Sequence, residues 1–147
     1  MKQGFAALLV LVAVAAGAAA PAIEEDAMKA ALAKGKVKVA KLERHLGPPD
    51  VPDGPFARAC RGWNLTEAQT LSFLQRATAI SPEELHSTYA VVPCQFSGEI
   101  SIDGDVYKLS VNAGSFAVIR ASKPERVALF GCKQVCRDVF RLSAEEQ

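Results

Sequence analysis

Two alternating runs of residues, joined by an aspartate–glycine pair, constrain the fold of this chain more than any other feature. Apolar or small residues occupy every second position in segments 96–102 and 107–111. Such alternation predicts strands with one buried face. Asp103-Gly104 between them is a strong signal for a β-hairpin. The chain is therefore expected to contain an antiparallel sheet.

Further turn signals extend this hairpin into a longer sheet. Asn112-Ala113-Gly114 predicts a second turn and a strand at 116–120, and Lys123-Pro124-Glu125 predicts a third turn and a strand at 126–131. These segments predict an antiparallel β-meander of four or five strands. Since helices are expected before it, the predicted fold class is α+β, with one face of the sheet covered.

Two helix starts precede the predicted meander. Thr66 and Gln69 have the spacing of a capping box, in which side chain and backbone bond each other reciprocally. Ser81-Pro82 combines a serine cap with a proline at the first helical position. These signals predict one helix after Thr66 and a short one that ends near His86.

The N-terminus has the order of a secretory signal peptide. A basic start at Lys2 is followed by an apolar run at 4–16 and by small residues and one proline at 17–22. We predict a signal peptide at residues 1–22, cleaved after Ala18 or Ala22, and a periplasmic or secreted product. The alternative is a membrane anchor. We expect no stable membrane insertion, because a spanning helix needs about 20 strongly apolar residues.

Residues 23–46 predict an amphipathic helix, and residues 47–55 predict a stiff linker. Apolar or small residues recur at helical spacing, at Met28, Leu32, Gly35, Val39, Leu42 and Leu46. This seam would pack on its own domain, on a second copy to form a homo-oligomer through residues 23–46, or on the helix of a partner protein. The linker has four prolines and two glycines, which no helix or central strand accommodates. Residues 56–147 then form a small α+β domain.

The charge balance bears on the kind of partner. Cleavage removes Lys2, so that 16 of the 17 basic side chains remain beside 16 acidic ones. Nucleic acid and anionic membranes both select a basic surplus. We therefore expect no nucleic-acid partner.

Four cysteines in an exported chain predict two disulfides. Three pairings are possible, and we favour Cys60–Cys94 with Cys132–Cys136. Cys132 and Cys136 also have a plausible spacing for zinc ligands, but the other two cysteines are scattered. The expected role of all four is structural.

No recognisable catalytic or metal-binding motif is present in the sequence, so we predict no catalytic residues, metal ligands or cofactor. His45 and His86 fall at predicted helix ends, where they complement the helix dipole. The hairpin turn accounts for Asp103, so we do not interpret this residue as a calcium ligand. Glu99 and Asp103 are acids that a fold could bring together for glycoside cleavage, but nothing in the sequence favours this role.

A resemblance adds to this interpretation. Residues 94–104, Tyr107, 111–115 and 130–132 resemble a loose group of small exported bacterial proteins with a cysteine-bracketed meander. Some similar proteins are periplasmic immunity or inhibitor proteins that block a toxin or wall-degrading enzyme. The resemblance implies a protein partner of that kind and carries no functional residues over.

We therefore expect a non-catalytic binding module, such as an inhibitor or immunity protein. The alternatives are an assembly protein that associates through residues 23–46 and a periplasmic hydrolase of unrecognised type. The expected binding surface consists of turns that the hairpins present at one end or edge. Its residues are Asn112, Gly114, Ser115, Lys123 and Glu125.

Overall fold

The predicted meander forms four consecutive strands of one antiparallel sheet, and two further strands extend it. A computed structural model describes residues 23–46, 60–122 and 125–141 of the chain. The helices are α1 (Glu25–Ala33), α2 (Glu67–Arg76) and α3 (Pro82–Thr88), with a 3-10 turn at Gln134–Cys136. The strands are β1 (Val37–Leu46), β2 (Thr78–Ala79), β3 (Cys94–Ile102), β4 (Asp105–Asn112), β5 (Phe116–Ser122) and β6 (Glu125–Gly131). Their spatial order is β1-β3-β4-β5-β6-β2.

The fold class is confirmed as mixed α+β, although the sheet is larger than predicted. The four-stranded meander runs from β3 to β6, and β1 and β2 add an edge strand on either side. The predicted signal peptide at 1–22, the whole predicted linker at 47–55 and residues 56–59 lie outside the described residues.

Asp103 and Gly104 make the predicted tight turn between β3 and β4. Both have positive φ angles, of 51° and 95°, and Ile102 pairs with Asp105 across the turn. Two central residues with positive φ match the right-handed twist of the flanking strands. The dipeptide therefore fixes the register of the hairpin.

The prediction of one helix over residues 23–46 is wrong beyond Ala33. Gly35 has a φ angle of +64°, its N–H bonds the carbonyl of Leu32, and the N–H of Lys36 bonds that of Ala31. This pair of hydrogen bonds is the Schellman motif that ends a helix at a left-handed glycine. The chain then continues as β1, which pairs antiparallel with β3 from Val37 opposite Ile102 to Leu46 opposite Cys94.

Helix α1 packs on its own domain, which is one of the three arrangements that the sequence left open. Met28 is buried on its inner face. The carboxylate of Glu25 accepts a hydrogen bond of 2.7 Å from the N–H of Ala79. One turn later, the ammonium of Lys29 donates to the carbonyl oxygens of Gln75 and Ala77 at the end of α2. These contacts fix α1 against the α2–β2 connection.

Both predicted helix starts are confirmed. Thr66 Oγ1 accepts from the N–H of Gln69 at 3.1 Å, and Gln69 Oε1 accepts from the N–H of Thr66 at 2.9 Å. The hydroxyl of Ser81 accepts from the N–H of Glu84 at 3.1 Å. Each side chain satisfies a backbone donor that the first helical turn leaves unpaired.

The core lies between one face of the sheet and helices α1 and α2. An aromatic cluster fills one end of it: Trp63 packs edge-on against Phe96 at 5.2 Å, and Phe73 does so against Phe140 at 5.1 Å. The indole N–H of Trp63 donates to the carbonyl of Val139 at 3.1 Å. This bond satisfies the polar group of an otherwise apolar side chain and holds the C-terminal segment against the core.

The disulfide pairing is Cys60–Cys94 and Cys132–Cys136, as favoured from the sequence, and it uses all four cysteines. The first bond joins a helical turn at 60–62 to the start of β3, and the second encloses the 3-10 turn. Disulfides persist in oxidising surroundings, so the two bonds indicate an extracytoplasmic environment. Within the described part of the chain, no helix is long and apolar enough to cross a membrane.

Candidate functional site

The sheet face opposite the helices carries a cleft of about 630 Å³. It lies across β1, β3, β4 and β5, because residues that alternate with the core positions of these strands point away from the helices. We call this surface the outer face. The residues that line its cleft are Lys41, Glu43, Gln95, Ser97, Gly98, Glu99, Lys108, Leu109, Ser110, Val118 and Arg120, although the side chain of Leu109 is buried in the core.

Strand register places three charged side chains in one row of the outer face. Glu99 on β3 lies directly opposite Lys108 on β4, and Lys108 lies directly opposite Arg120 on β5. Directly opposed residues in an antiparallel sheet have Cβ atoms about 4.5–5.5 Å apart. Lys108 and Arg120 are therefore neighbouring cations, and both are exposed.

Glu99, the acid in this row, forms its ion pair with Lys41 on β1 rather than with Lys108. Lys41 Nζ lies 2.9 Å from Glu99 Oε2 and 3.0 Å from Glu99 Oε1. Lys41 reaches it from a bulge in β1, where its φ angle is 57° and the pairing with β3 shifts between Ala40 and Glu43. Across the described residues, no carboxylate lies within ion-pair distance of Lys108 or Arg120.

Gly98 makes the bulge possible. A Cβ at this position would lie 2.7 Å from the carbonyl oxygen of Ala40 and 3.1 Å from that of Lys41. The close approach of the two backbones requires glycine here. The position of Lys41 over Glu99 thus depends on a residue without a side chain in the neighbouring strand.

Small polar groups and one apolar side chain complete the cleft. The hydroxyl of Ser110 donates to Gln95 Oε1 at 3.2 Å, and Ser97 lies opposite Ser110 in the register of β3 and β4. Val118 is half-buried beside them, opposite Ser110 on the other side. The cleft can therefore offer cationic, hydroxyl, amide and apolar contacts to a ligand.

Residues 89–93 cover the outer face beyond one end of the cleft. Tyr89 packs edge-on against Phe116 at 6.3 Å, and its ring occupies the space beside Gly131. Burial raises the pKa of the Tyr89 phenol above its ordinary value. Since this end is filled by the chain itself, the accessible part of the outer face is centred on Lys108, Arg120 and Ser97.

The residues predicted to form binding loops are not brought together. Asn112 is buried and bonds residues 92 and 114, and a Cβ on Gly114 would overlap the carbonyl of Ala90. Ser115 precedes the start of β5, whereas Glu125 pairs with Ser122 at its far end. Lys123 lies outside the described residues. Asn112 and Gly114 thus have internal packing roles.

The other candidate side chains are dispersed. His45 lies exposed on β1 rather than at a helix end, and His86 lies exposed near the end of α3. Glu99 pairs with Lys41, while Asp103 pairs with Lys36 at 3.5 Å. Over residues 23–46, 60–122 and 125–141, no three histidine, cysteine, aspartate or glutamate side chains cluster to hold a metal ion.

Comparisons with known protein families, with curated proteins and with solved structures find no match to this chain. The outer face is therefore interpreted from its own chemistry. Sequence reasoning did not select Lys108 and Arg120. Their alternation with buried residues on β4 and β5 was the signal that could have found them.

Proposed function

We propose that the protein is a non-catalytic binding module of the periplasm or extracellular space, and that it holds another protein on its outer face. The observation that carries this proposal is the cleft on the outer face, together with the exposed cations Lys108 and Arg120. An inhibitor or immunity protein directed at a toxin or cell-wall enzyme is the form of the proposal that the sequence resemblance supports.

The composition of the cleft suits protein recognition. Protein interfaces combine hydrogen-bonding groups with apolar contacts, and arginine is enriched in them. The outer face supplies these groups from strands rather than from loops. Rigid elements lower the entropy that is lost on binding, and the disulfide at Cys94 further restrains β3.

Replacement of Ser97 by tryptophan tests this proposal. Ser97 is half-buried in the cleft between Glu43 and Ser110. An indole at this position would fill the space that a partner needs. The matched control is Ala68→Trp, because Ala68 is exposed on α2, on the opposite side of the sheet.

The experiment uses the wild-type protein and both variants as bait in the extracytoplasmic fraction of the source cells. The captured protein is then purified, and its affinity for each bait is measured by calorimetry. We expect a one-to-one complex with the wild type and Ala68→Trp, and a large loss of affinity with Ser97→Trp. Equal binding by all three baits, or no specific capture by the wild type, would refute the proposal.

A further inference from the structure

The pairing of Lys108 with Arg120 places two like charges side by side on the outer face. The two cations lie on adjacent strands in direct register, and both are exposed at the cleft. Like charges directly opposite each other destabilise a sheet. In the described structure the only acid of this row, Glu99, is held by Lys41. The pair therefore has unused capacity for an anion.

The chemistry of the two side chains favours carboxylates. Arginine presents a planar fork of N–H donors that matches the two oxygens of a carboxylate, and lysine adds a compact positive charge. Ser97 and Ser110 lie one row away and add hydroxyl groups. A carboxylate between Lys108 and Arg120 would remove their repulsion and make charge-assisted hydrogen bonds.

The other residues of the cleft favour an acidic protein segment over a nucleic acid or an anionic membrane. Glu43 and Glu99 lie in the same cleft, and they would repel the uniform negative charge of a nucleic acid or an anionic membrane. The whole chain carries a net charge of only +1. Val118 adds an apolar contact next to the cations. A protein segment with a few carboxylates among apolar residues complements this surface.

Building on the proposed function, we propose that Lys108 and Arg120 form the docking point for an acidic segment of the partner protein. The partner contributes aspartate or glutamate side chains, and at least one carboxylate lies between the two cations. Lys41 and Glu99 form a neighbouring ion pair that limits the site to segments of low charge density.

A charge reversal at the pair tests this inference with defined probes. The cleft variant is Lys108→Glu/Arg120→Glu. The remote variant, Lys34→Glu/Arg137→Glu, also replaces one lysine and one arginine, and both of its positions are exposed and lie outside the cleft. The probes are a fluorescein-labelled peptide with two glutamates among apolar residues, a matched peptide with lysines in place of the glutamates, and a single-stranded oligothymidylate. Binding is measured by fluorescence anisotropy at about 0.1 M salt, where the Debye length is about 10 Å, and circular dichroism verifies folding.

We expect the wild type to bind the glutamate peptide and the cleft variant to bind it at least about tenfold more weakly, as two reversed contacts imply. The remote variant should change the affinity by less than about threefold, because charges beyond the Debye length are screened. Rising salt should weaken binding. Equal losses in both variants, or tighter binding of the oligothymidylate, would overturn the inference. A light-scattering mass that doubles for the wild type alone would assign the pair to self-association and would also overturn it.

The captured partner separates failure of this inference from failure of the proposed function. If Ser97→Trp abolishes capture and the cleft variant retains it, the outer face binds a protein but the acidic docking point is wrong. If the cleft variant loses the glutamate peptide while Ser97→Trp leaves capture intact, the anion site stands and the proposed function fails.

Discussion

Asn112 lies at the end of β4, and the hydrogen bonds of its buried side chain make the turn that follows part of the protein interior. Its Oδ1 accepts hydrogen bonds from the N–H groups of Val92 and Gly114, at 3.2 and 2.9 Å, and its Nδ2 donates to the carbonyl of Val92 at 2.9 Å. The residue is only 5% exposed. The amide thus fastens the segment that covers one end of the outer face.

Replacement of Asn112 by alanine is expected to destabilise the protein by about 2–3 kcal/mol, because backbone groups of Val92 and Gly114 would lose buried partners. Urea denaturation measures the free energy of unfolding. Asn64→Ala is the control, since Asn64 is exposed, and it should change stability by less than about 0.5 kcal/mol. Equal stability of the two variants would show that Asn112 does not fasten the segment.

A second residue-scale prediction concerns Asp138, which pairs with Arg76 at 2.8 Å. Hydrogen bonds from the Arg76 guanidinium hold the pKa of the Asp138 carboxyl below its ordinary value of 3.8. A lowered folded-state pKa contributes stability above pH 3.8, and that contribution is lost as the pH falls through the folded-state pKa. Asp138→Asn should therefore lower stability near neutral pH and leave it almost unchanged in strong acid. Denaturation curves over the acidic range check this, and parallel profiles for both proteins would contradict it.

At the scale of elements, the end of α1 and the start of β1 at residues 34–39 were only partly predictable from the sequence. The spacing of apolar residues predicted a helix that continues through Gly35, whereas the low helix propensity of the β-branched Val37 and Val39 argued against it. The structure ends the helix there because Gly35 adopts a left-handed conformation and β3 supplies hydrogen-bonding partners to β1. The first cause is local, whereas the second depends on a strand far along the chain.

The sign of the stability change caused by Gly35→Ala distinguishes a continuous helix from a helix that ends at Gly35. In a continuous helix, alanine would stabilise the protein by about 1 kcal/mol relative to glycine. At a φ angle of +64°, alanine should instead destabilise it by about 1 kcal/mol. Thermal and chemical denaturation measure the change, and Lys34→Ala is the neighbouring control. A gain in stability for Gly35→Ala would exclude the helix end described here.

The candidate site was predictable only in part. Alternation in β4 and β5 placed Lys108 and Arg120 on one side of the sheet, and the turn at 112–114 placed the strands next to each other. Their direct opposition depends on the register that Asn112 pairing with Phe116 sets. The contribution of Lys41 could not be foreseen, since it requires both the strand β1 and its bulge opposite Gly98.

For the whole molecule, the two disulfides are expected to stabilise the fold unequally. Cys60 and Cys94 are 34 residues apart, and Cys132 and Cys136 are 4 apart. In the chain-entropy account, a longer closed loop removes more freedom from the unfolded state. The Cys60–Cys94 bond also joins the Trp63 cluster to the sheet.

Paired alanine substitutions measure this difference. Cys60→Ala/Cys94→Ala should lower the free energy of unfolding by roughly 4 kcal/mol, and Cys132→Ala/Cys136→Ala by roughly 2 kcal/mol. Guanidinium titration of the oxidised proteins provides the values. A larger loss from the shorter loop would show that strain or packing, rather than loop entropy, governs these bonds.

The pairing of β1 with β3 has a consequence for the order in which the chain is assembled. Val37 is synthesised long before Ile102, its partner in the sheet. A ribosome adds residues from the N-terminus, so β1 leaves the translation machinery with no strand to pair with. The meander β3–β6 can form from neighbouring segments, whereas the docking of β1 requires closure of a long loop and is expected to come late. Until that step is complete, the newly made chain exposes an unpaired strand, and it is then most prone to aggregation.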